Sequence, residues 1–403
     1  MKILVYGNEL EFAPVGGPKG YLYGLYNGLK MVDSSDVEIS FLHNKDIYKP
    51  SALVSYGKNT NNFFAKKIAS LFRIYYHHRR LMRIMNSYIE PSVNLDEFDA
   101  IHFHATRDFY QCRDKLKNYK GIVILTSHSP QPLSNELIEE ASKLELFLFG
   151  KEYKSLIEMD RYAFENADII LFPCEGADEA YCHQWSEYEK IKAQRKERYR
   201  YLVTGTAPAQ VKTDEIDVRK KLGIPQDAFV VSYVGRHNKI KGYDRLKQIG
   251  KQFLEKHENA YFVVCGKEQP LTGLRHPRWI EIGWTNEAHS YVNASDVFIL
   301  PNKETYFDLV TLEVLSTGTY LLISDTGGNR YFKKFNDVGI SFFNDEKEAL
   351  EVLECNYGMS ECERQKMKNN NIQLYSRNFT TEIFAKSYVE FYKSLENFRR
   401  GLK

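Results

Sequence analysis

The stretch "NKETYFDLVTLEVLSTG" (302–318) sets three carboxylates, Glu304, Asp308 and Glu313, around one apolar turn, directly after the strand-like run "VFILP". Leu309, Leu312 and Leu315 have helical spacing, so a helix is predicted from about Asp308 to Thr317, with Glu313 one turn inside it. An ionised carboxylate only accepts hydrogen bonds, which suits the paired hydroxyls of a ribose. The alternative is an ordinary exposed helical glutamate, although the apolar neighbours Leu312, Val314 and Leu315 favour partial burial.

Cations come earlier, in "VGRHNKIKGYDRL", which follows another strand-like run. Arg236 and Lys241 stand five residues apart in a strand-to-helix loop, where they can clamp a diphosphate or simply form a solvated basic surface. Near the amino end, "APVGGPKGYLYG" places Gly16 and Gly17 before a helix starting near Pro18. A glycine turn at a helix start lets backbone N–H groups approach a phosphate, and a plain tight turn has the same sequence signature. His128 in "IVILTSHSP" and His102 and His104 in "IHFHA" lie at strand ends, where a structural histidine is the commoner outcome.

These residues need a scaffold. Short apolar runs alternate with helical patterns: "KILVYG", "VEISFLH", "AIHFHA", "IVILTSH" and "DIILFP", then "FVVSYVGR", "AYFVVCG", "VFILP" and "YLLISD". Such runs read as parallel strands buried on both faces. Two series imply an α/β chain of two Rossmann-like, doubly wound domains facing across a cleft. The boundary is placed near 210: residues 1–210 form the first domain and 211–377 the second. The amphipathic helix at about 378–403 is free to cross back to the first. Ligands of open α/β sheets bind beyond the carboxyl ends of strands, so the cleft is the expected site.

The 403 residues carry a net charge of +2, which marks no global field for nucleic acid. The six cysteines form no C-x-x-C pair; zinc is not suggested, and their scatter fits reduced thiols in a cytosol. "MKILVYGNEL" is too short an apolar run for a signal peptide, and no run reaches the roughly 20 residues of a membrane span.

Taken in order, "GGPKGYLYGL", "VGRHNKIKGYDRL", "FVVCGKE" and "YVNASDVFILPNKETYFDLVTLEVLSTGTYLLISDTGGNRYF" resemble glycosyltransferase family 4, most strongly over 229–335. The resemblance implies the GT-B fold and a metal-independent, cofactor-free retaining transfer from a nucleotide-sugar, UDP- or GDP-linked. It also implies that Gly16 and Gly17 face the donor phosphates and that Arg236 and Lys241 bind the diphosphate. Glu313 would bind the ribose, and His128 would lie beside the reacting sugar. Gly266, Glu304, Thr305, Phe307, Asp308, Leu309 and Val310 complete the implied substrate-binding set.

The family pattern has two glutamates separated by seven residues, with Phe-Gly two positions after the first. Here Phe307 fits, Thr305 falls at the first-glutamate position, and Asp308 replaces the glycine. In that register Thr305 faces the sugar and Glu304 points to solvent; a rebuilt turn would bring Glu304 in instead. Asp308 is either an N-cap or a sugar contact. Residues 65–87 hold six Lys/Arg and no acid, with Ile68, Leu71, Phe72, Tyr75 and Met82 as an apolar stripe. That reads as an anionic membrane-surface element or a plain surface helix. The expected function is transfer to a glycan, lipid-linked or protein acceptor in bacterial surface polysaccharide or glycoconjugate synthesis. The enzyme would be cytoplasmic or peripheral on the inner face of the membrane. The alternative is a non-catalytic sugar-nucleotide-binding subunit of a glycosylation complex.

Overall fold

The computed structural model describes residues 1–7, 17–43, 63–85, 94–128 and 131–401. The first domain is built on β1 (Lys2–Gly7), β2 (Glu38–His43), β3 (Ala100–Phe103), β4 (Ile122–Thr126), β5 (Ile169–Phe172) and β6 (Tyr199–Tyr201). They form one sheet in the order β2-β1-β3-β4-β5-β6. The second domain has β7 (Phe229–Val234), β8 (Ala260–Cys265), β9 (Trp279–Gly283), β10 (Val297–Leu300), β11 (Tyr320–Ser324) and β12 (Ile340–Phe343), ordered β12-β11-β10-β7-β8-β9.

Every pairing among the described residues is parallel, as in Ile101 opposite Val123 and Val297 opposite Tyr320. Parallel neighbours need long crossovers, and helices supply them on both faces. That is why β3 and β4 are buried along their whole length. Strand addition reverses direction between β1 and β3 in the first sheet, and between β7 and β10 in the second. A crevice opens at such a switch point because the flanking crossovers leave on opposite faces. The loops after β7 and β10 flank the second switch point and carry Arg236, Lys241 and residues 302–308, and His128 follows β4.

The chain passes between the domains twice, side by side. The Thr206 amide donates to the Phe379 carbonyl at 2.9 Å, and Thr206 and Thr380 form an isolated parallel bridge. After the second passage, helix Thr381–Gly401 lies on the first domain. Its buried Phe384, Tyr388, Tyr392 and Leu395 share a core with Ile3, Val5, Leu22 and Leu25. The hydroxyls of Tyr388 and Tyr21 meet at 2.5 Å inside that core.

At the crossing, a Cβ on Gly205 would stand 2.4 Å from the Thr380 carbonyl oxygen and 2.8 Å from Cβ of Phe384. Neither neighbour is a flexible side-chain end, so the two passages would have to separate. Gly205→Ala should therefore destabilise the protein by about 1–3 kcal/mol, as overpacked cores do. Gly150→Ala, whose added carbon meets nothing within 4 Å, is the control. Denaturant unfolding of the two variants checks this; equal midpoints would mean that the crossing yields without cost.

Candidate functional site

The loop after β7 is shaped by close backbone approach. Gly242 has φ 63°, and a Cβ there would lie 1.7 Å from the Pro301 carbonyl oxygen. The Asn238 side chain accepts from the Lys241 amide at 2.9 Å, and the Lys303 amide donates to the Ile240 carbonyl at 2.8 Å. The loops after β7 and β10 thus lie against each other across the switch point. Gly266, at the end of β8, supports them from behind: its Cβ would stand 2.0 Å from the Gly235 carbonyl oxygen. Gly266 is therefore needed for backbone packing. Arg236 is exposed, and no side-chain partner holds it among the described residues.

The loop after β10 carries the site's carboxylates. Asp308 is the N-cap residue of helix Leu309–Thr317, but its side chain does not cap that helix. Its Oδ1 and Oδ2 instead accept from Lys241 Nζ at 2.7 and 2.9 Å, and Oδ2 also accepts from Thr305 Oγ1 at 3.1 Å and from Asn302. Burial opposes the charge on Asp308, but Lys241, Asn302 and Thr305 outweigh it and hold the carboxyl below its usual range. The N–H groups of Leu309 and Val310 remain without a capping side chain, so the positive end of the helix dipole is open. Glu313 lies one turn further in, 3.3 Å from His289 Nε2. His289 Nδ1 in turn accepts from the Gln210 amide at 2.9 Å.

Three expectations change here. Glu304 does not point to solvent: it meets His183 Nδ1 of the first domain at 3.0 Å, and this contact holds His183 above its ordinary pKa. Thr305 is buried and spends its hydroxyl on Asp308. The Phe307 side chain is also buried, stacked on Phe332 with ring centres 5.6 Å apart, so only its backbone can face a ligand. An apolar ring next to the Phe332 and Tyr331 rings gains more from burial than from the cleft.

The first domain supplies the opposite wall. Gly17, with φ 77°, is the N-cap residue of helix Pro18–Leu29, directly after the loop from β1; Gly16 lies outside the described residues. His128, at the end of β4, meets His104 at 2.8 Å. His102 stacks on His104 and is fixed by Tyr392 at 2.8 Å and Thr126 at 2.7 Å. Burial lowers His102 and His128 to about 3 and also drives His104 far down, so all three rings are neutral near pH 7. Beside them, the Tyr306 ring enters from the second domain, between His128 and Phe172.

Sequence reasoning missed the polar clasp below the histidines. Glu179, on helix Glu179–Gln184, accepts from the Gly327 amide at 2.6 Å and from Arg330. With His183–Glu304, it joins the segment after β5 to the loops after β10 and β11. The only signal was the position of "EGADEAYCH" just beyond a strand's carboxyl end. His289 and Asn302 carried no signal of their own.

A sequence profile described as glycosyl transferases group 1 matches residues 214–373. The chain is 26% identical over 324 residues to a D-inositol 3-phosphate glycosyltransferase of Corynebacterium urealyticum, covering 74% of this chain and 72% of that protein. It is 28% identical over 130 residues to an Escherichia coli UDP-Gal:alpha-D-GlcNAc-diphosphoundecaprenol alpha-1,3-galactosyltransferase, covering 29% of this chain and 34% of that one. Among solved structures, the catalytic domain of Arabidopsis thaliana Starch Synthase IV, bound to ADP and acarbose, superposes with a TM-score of 0.64 at 15% identity. That match covers 97% of this chain and 98% of the other. Anabaena Alr3699/HepE in complex with UDP-glucose gives 0.59 at 12% identity, over 98% and 100% of the two chains. The chain has the GT-B fold, and residues 214–373, nearly all of its second domain, match the glycosyl transferases group 1 model.

Proposed function

We propose that the chain is a retaining glycosyltransferase that moves a sugar from a UDP- or GDP-linked donor to a glycan, lipid-linked or protein acceptor. The carrying observation is the convergence, at one switch point, of Arg236, Lys241 and the uncapped helix start at Leu309–Val310, with Glu313 one turn behind. Breaking the anomeric C–O bond leaves a diphosphate whose charge grows in the transition state. Cations beside a helix start answer that charge. Glu313 accepts the ribose hydroxyls and releases His289. His128, being neutral, acts by hydrogen bonding to the sugar, with no charge of its own. The names of the relatives, a diphosphoundecaprenol-dependent galactosyltransferase among them, support a place in surface polysaccharide or glycoconjugate synthesis.

A cytoplasmic enzyme peripheral on the inner face of an anionic membrane fits the first-domain surface. No helix among the described residues is long and apolar enough to cross a membrane. Helix Phe63–Met85 buries Ala69, Ile74 and Leu81 but exposes Ile68, Leu71, Phe72, Tyr75 and Met82. Helix Lys143–Ser155 packs beside it, His78 on Phe149, and exposes Leu144, Phe147 and Leu148, with Phe147 84% accessible. Apolar side chains on a helix with six cations and no acid suit an interface rich in anionic lipid.

A second reading, a non-catalytic sugar-nucleotide-binding subunit, is favoured by Thr305 at the first-glutamate position and by Lys241 being already paired. Release of free nucleotide from any nucleotide-sugar, at a rate lost in Arg236→Ala, decides for the enzyme.

Glu313→Ala should weaken donor binding roughly ten- to a hundredfold, for charge-assisted bonds of about 1.5–3 kcal/mol. Calorimetry with UDP and GDP measures it, and unchanged affinity would remove the ribose assignment. For the surface, wild type should float with phosphatidylglycerol vesicles at low salt and less so at high salt. Phe147→Ser/Leu148→Ser should reduce flotation at both. A wild type that stays in the pellet fraction at low salt would return both helices to ordinary surface.

A further inference from the structure

The pairing of Lys241 with Asp308 divides the labour of the two cations. Both oxygens of Asp308 face Lys241 Nζ, at 2.7 and 2.9 Å. Each partner leaves only about a fifth of its side chain accessible (20% and 21%), so water screens the pair less than it would a surface pair. Arg236 is exposed, with no side-chain partner among the described residues. One cation is open to an incoming anion and the other is engaged.

We propose that Asp308 is an internal counter-ion that competes with the donor's diphosphate for Lys241, and so weakens retention of the nucleoside diphosphate left after transfer. This rests on the nucleotide-sugar reading above. Three observations carry it. The carboxylate stands at a helix start yet turns away from capping it, toward the lysine. It has a second set of donors, Asn302 and Thr305, both buried. With Lys241 withdrawn, those two bonds still hold Oδ2, while Oδ1 loses its partner and the carboxylate its counter-charge, so the lysine is drawn back once the competing anion leaves. Finally, the backbone on both sides is pinned, by Asn238 on the Lys241 amide and by Gly242 under the Pro301 carbonyl. Exchange of partners therefore needs only the lysine side chain to swing.

Two anions then share one cation. A diphosphate brought to Lys241 also approaches Asp308, and this like-charge contact opposes binding. Once the sugar has left, the carboxylate takes the lysine back and the product diphosphate loses one of its two clamps. Release of product limits many well-evolved enzymes, and a counter-ion in the site acts on that step.

Calorimetric titration of the full chain with UDP, GDP and inorganic pyrophosphate tests the proposal in wild type, Asp308→Asn, Lys241→Ala and the double variant. Asparagine keeps the shape and the N-cap preference of aspartate. Asp308→Asn should bind the diphosphates roughly three- to thirtyfold more tightly, the range of a coupled pair, and that gain should vanish in the Lys241→Ala background. Equal or weaker binding in Asp308→Asn overturns the proposal and makes Asp308 a support that positions Lys241. Asp308→Gly, the residue of the family pattern, reads the same quantity if the asparagine variant does not fold. Pyrophosphate binding that tightens in Asp308→Asn while UDP and GDP bind no form would keep the counter-ion and remove the nucleotide reading. Silence toward all three anions in every form removes both.

Discussion

At Gly242 the backbone is left-handed, and the space a Cβ would need is taken by the Pro301 carbonyl. That contact lets the loops after β7 and β10 touch across the switch point of the second sheet. The rest of the site depends on it. The Lys303 amide reaches Ile240, Lys241 reaches Asp308, and helix Leu309–Thr317 starts where the cations of the other loop can oppose the same ligand. A side chain at 242 would force the two loops apart, because its Cβ would overlap the Pro301 carbonyl.

The strand order explains why the fold was legible. Nine apolar runs predicted parallel strands in two series, because a strand buried on both faces reads as continuous rather than alternating. The helix near 308–317 followed from three leucines at helical spacing, and Leu309–Thr317 is helical. Side-chain direction within the loop at 302–308 was not legible. It depends on who waits across the cleft. Glu304 turns to His183 and Tyr306 to Phe172 because the first domain is there, 120 and more residues away in sequence. No local pattern encodes that meeting. The same holds for Asp308, whose residue type suggested a cap and whose partner lies on another loop.

The two sides of the cleft use different physics. The second domain places charges near a surface loop, where ion pairs can exchange partners. The first domain presents neutral rings: His102, His104 and His128 stack in sequence, held by Tyr392 and Thr126. Burial keeps them uncharged, so these three rings can orient hydroxyls without adding a positive charge.

Helix Thr381–Gly401 has a consequence for how the molecule is made. It supplies Phe384, Tyr388, Tyr392 and Leu395 to the core of the first domain, and its tyrosines hold Tyr21 and His102. It is synthesised only after the entire second domain. During translation the first sheet therefore emerges with one face only partly covered, and domains that would fold in succession on the ribosome cannot do so completely here. The histidine wall reaches its final hydrogen bonding only when this last helix arrives, so a nascent chain lacks the assembled first-domain wall until then.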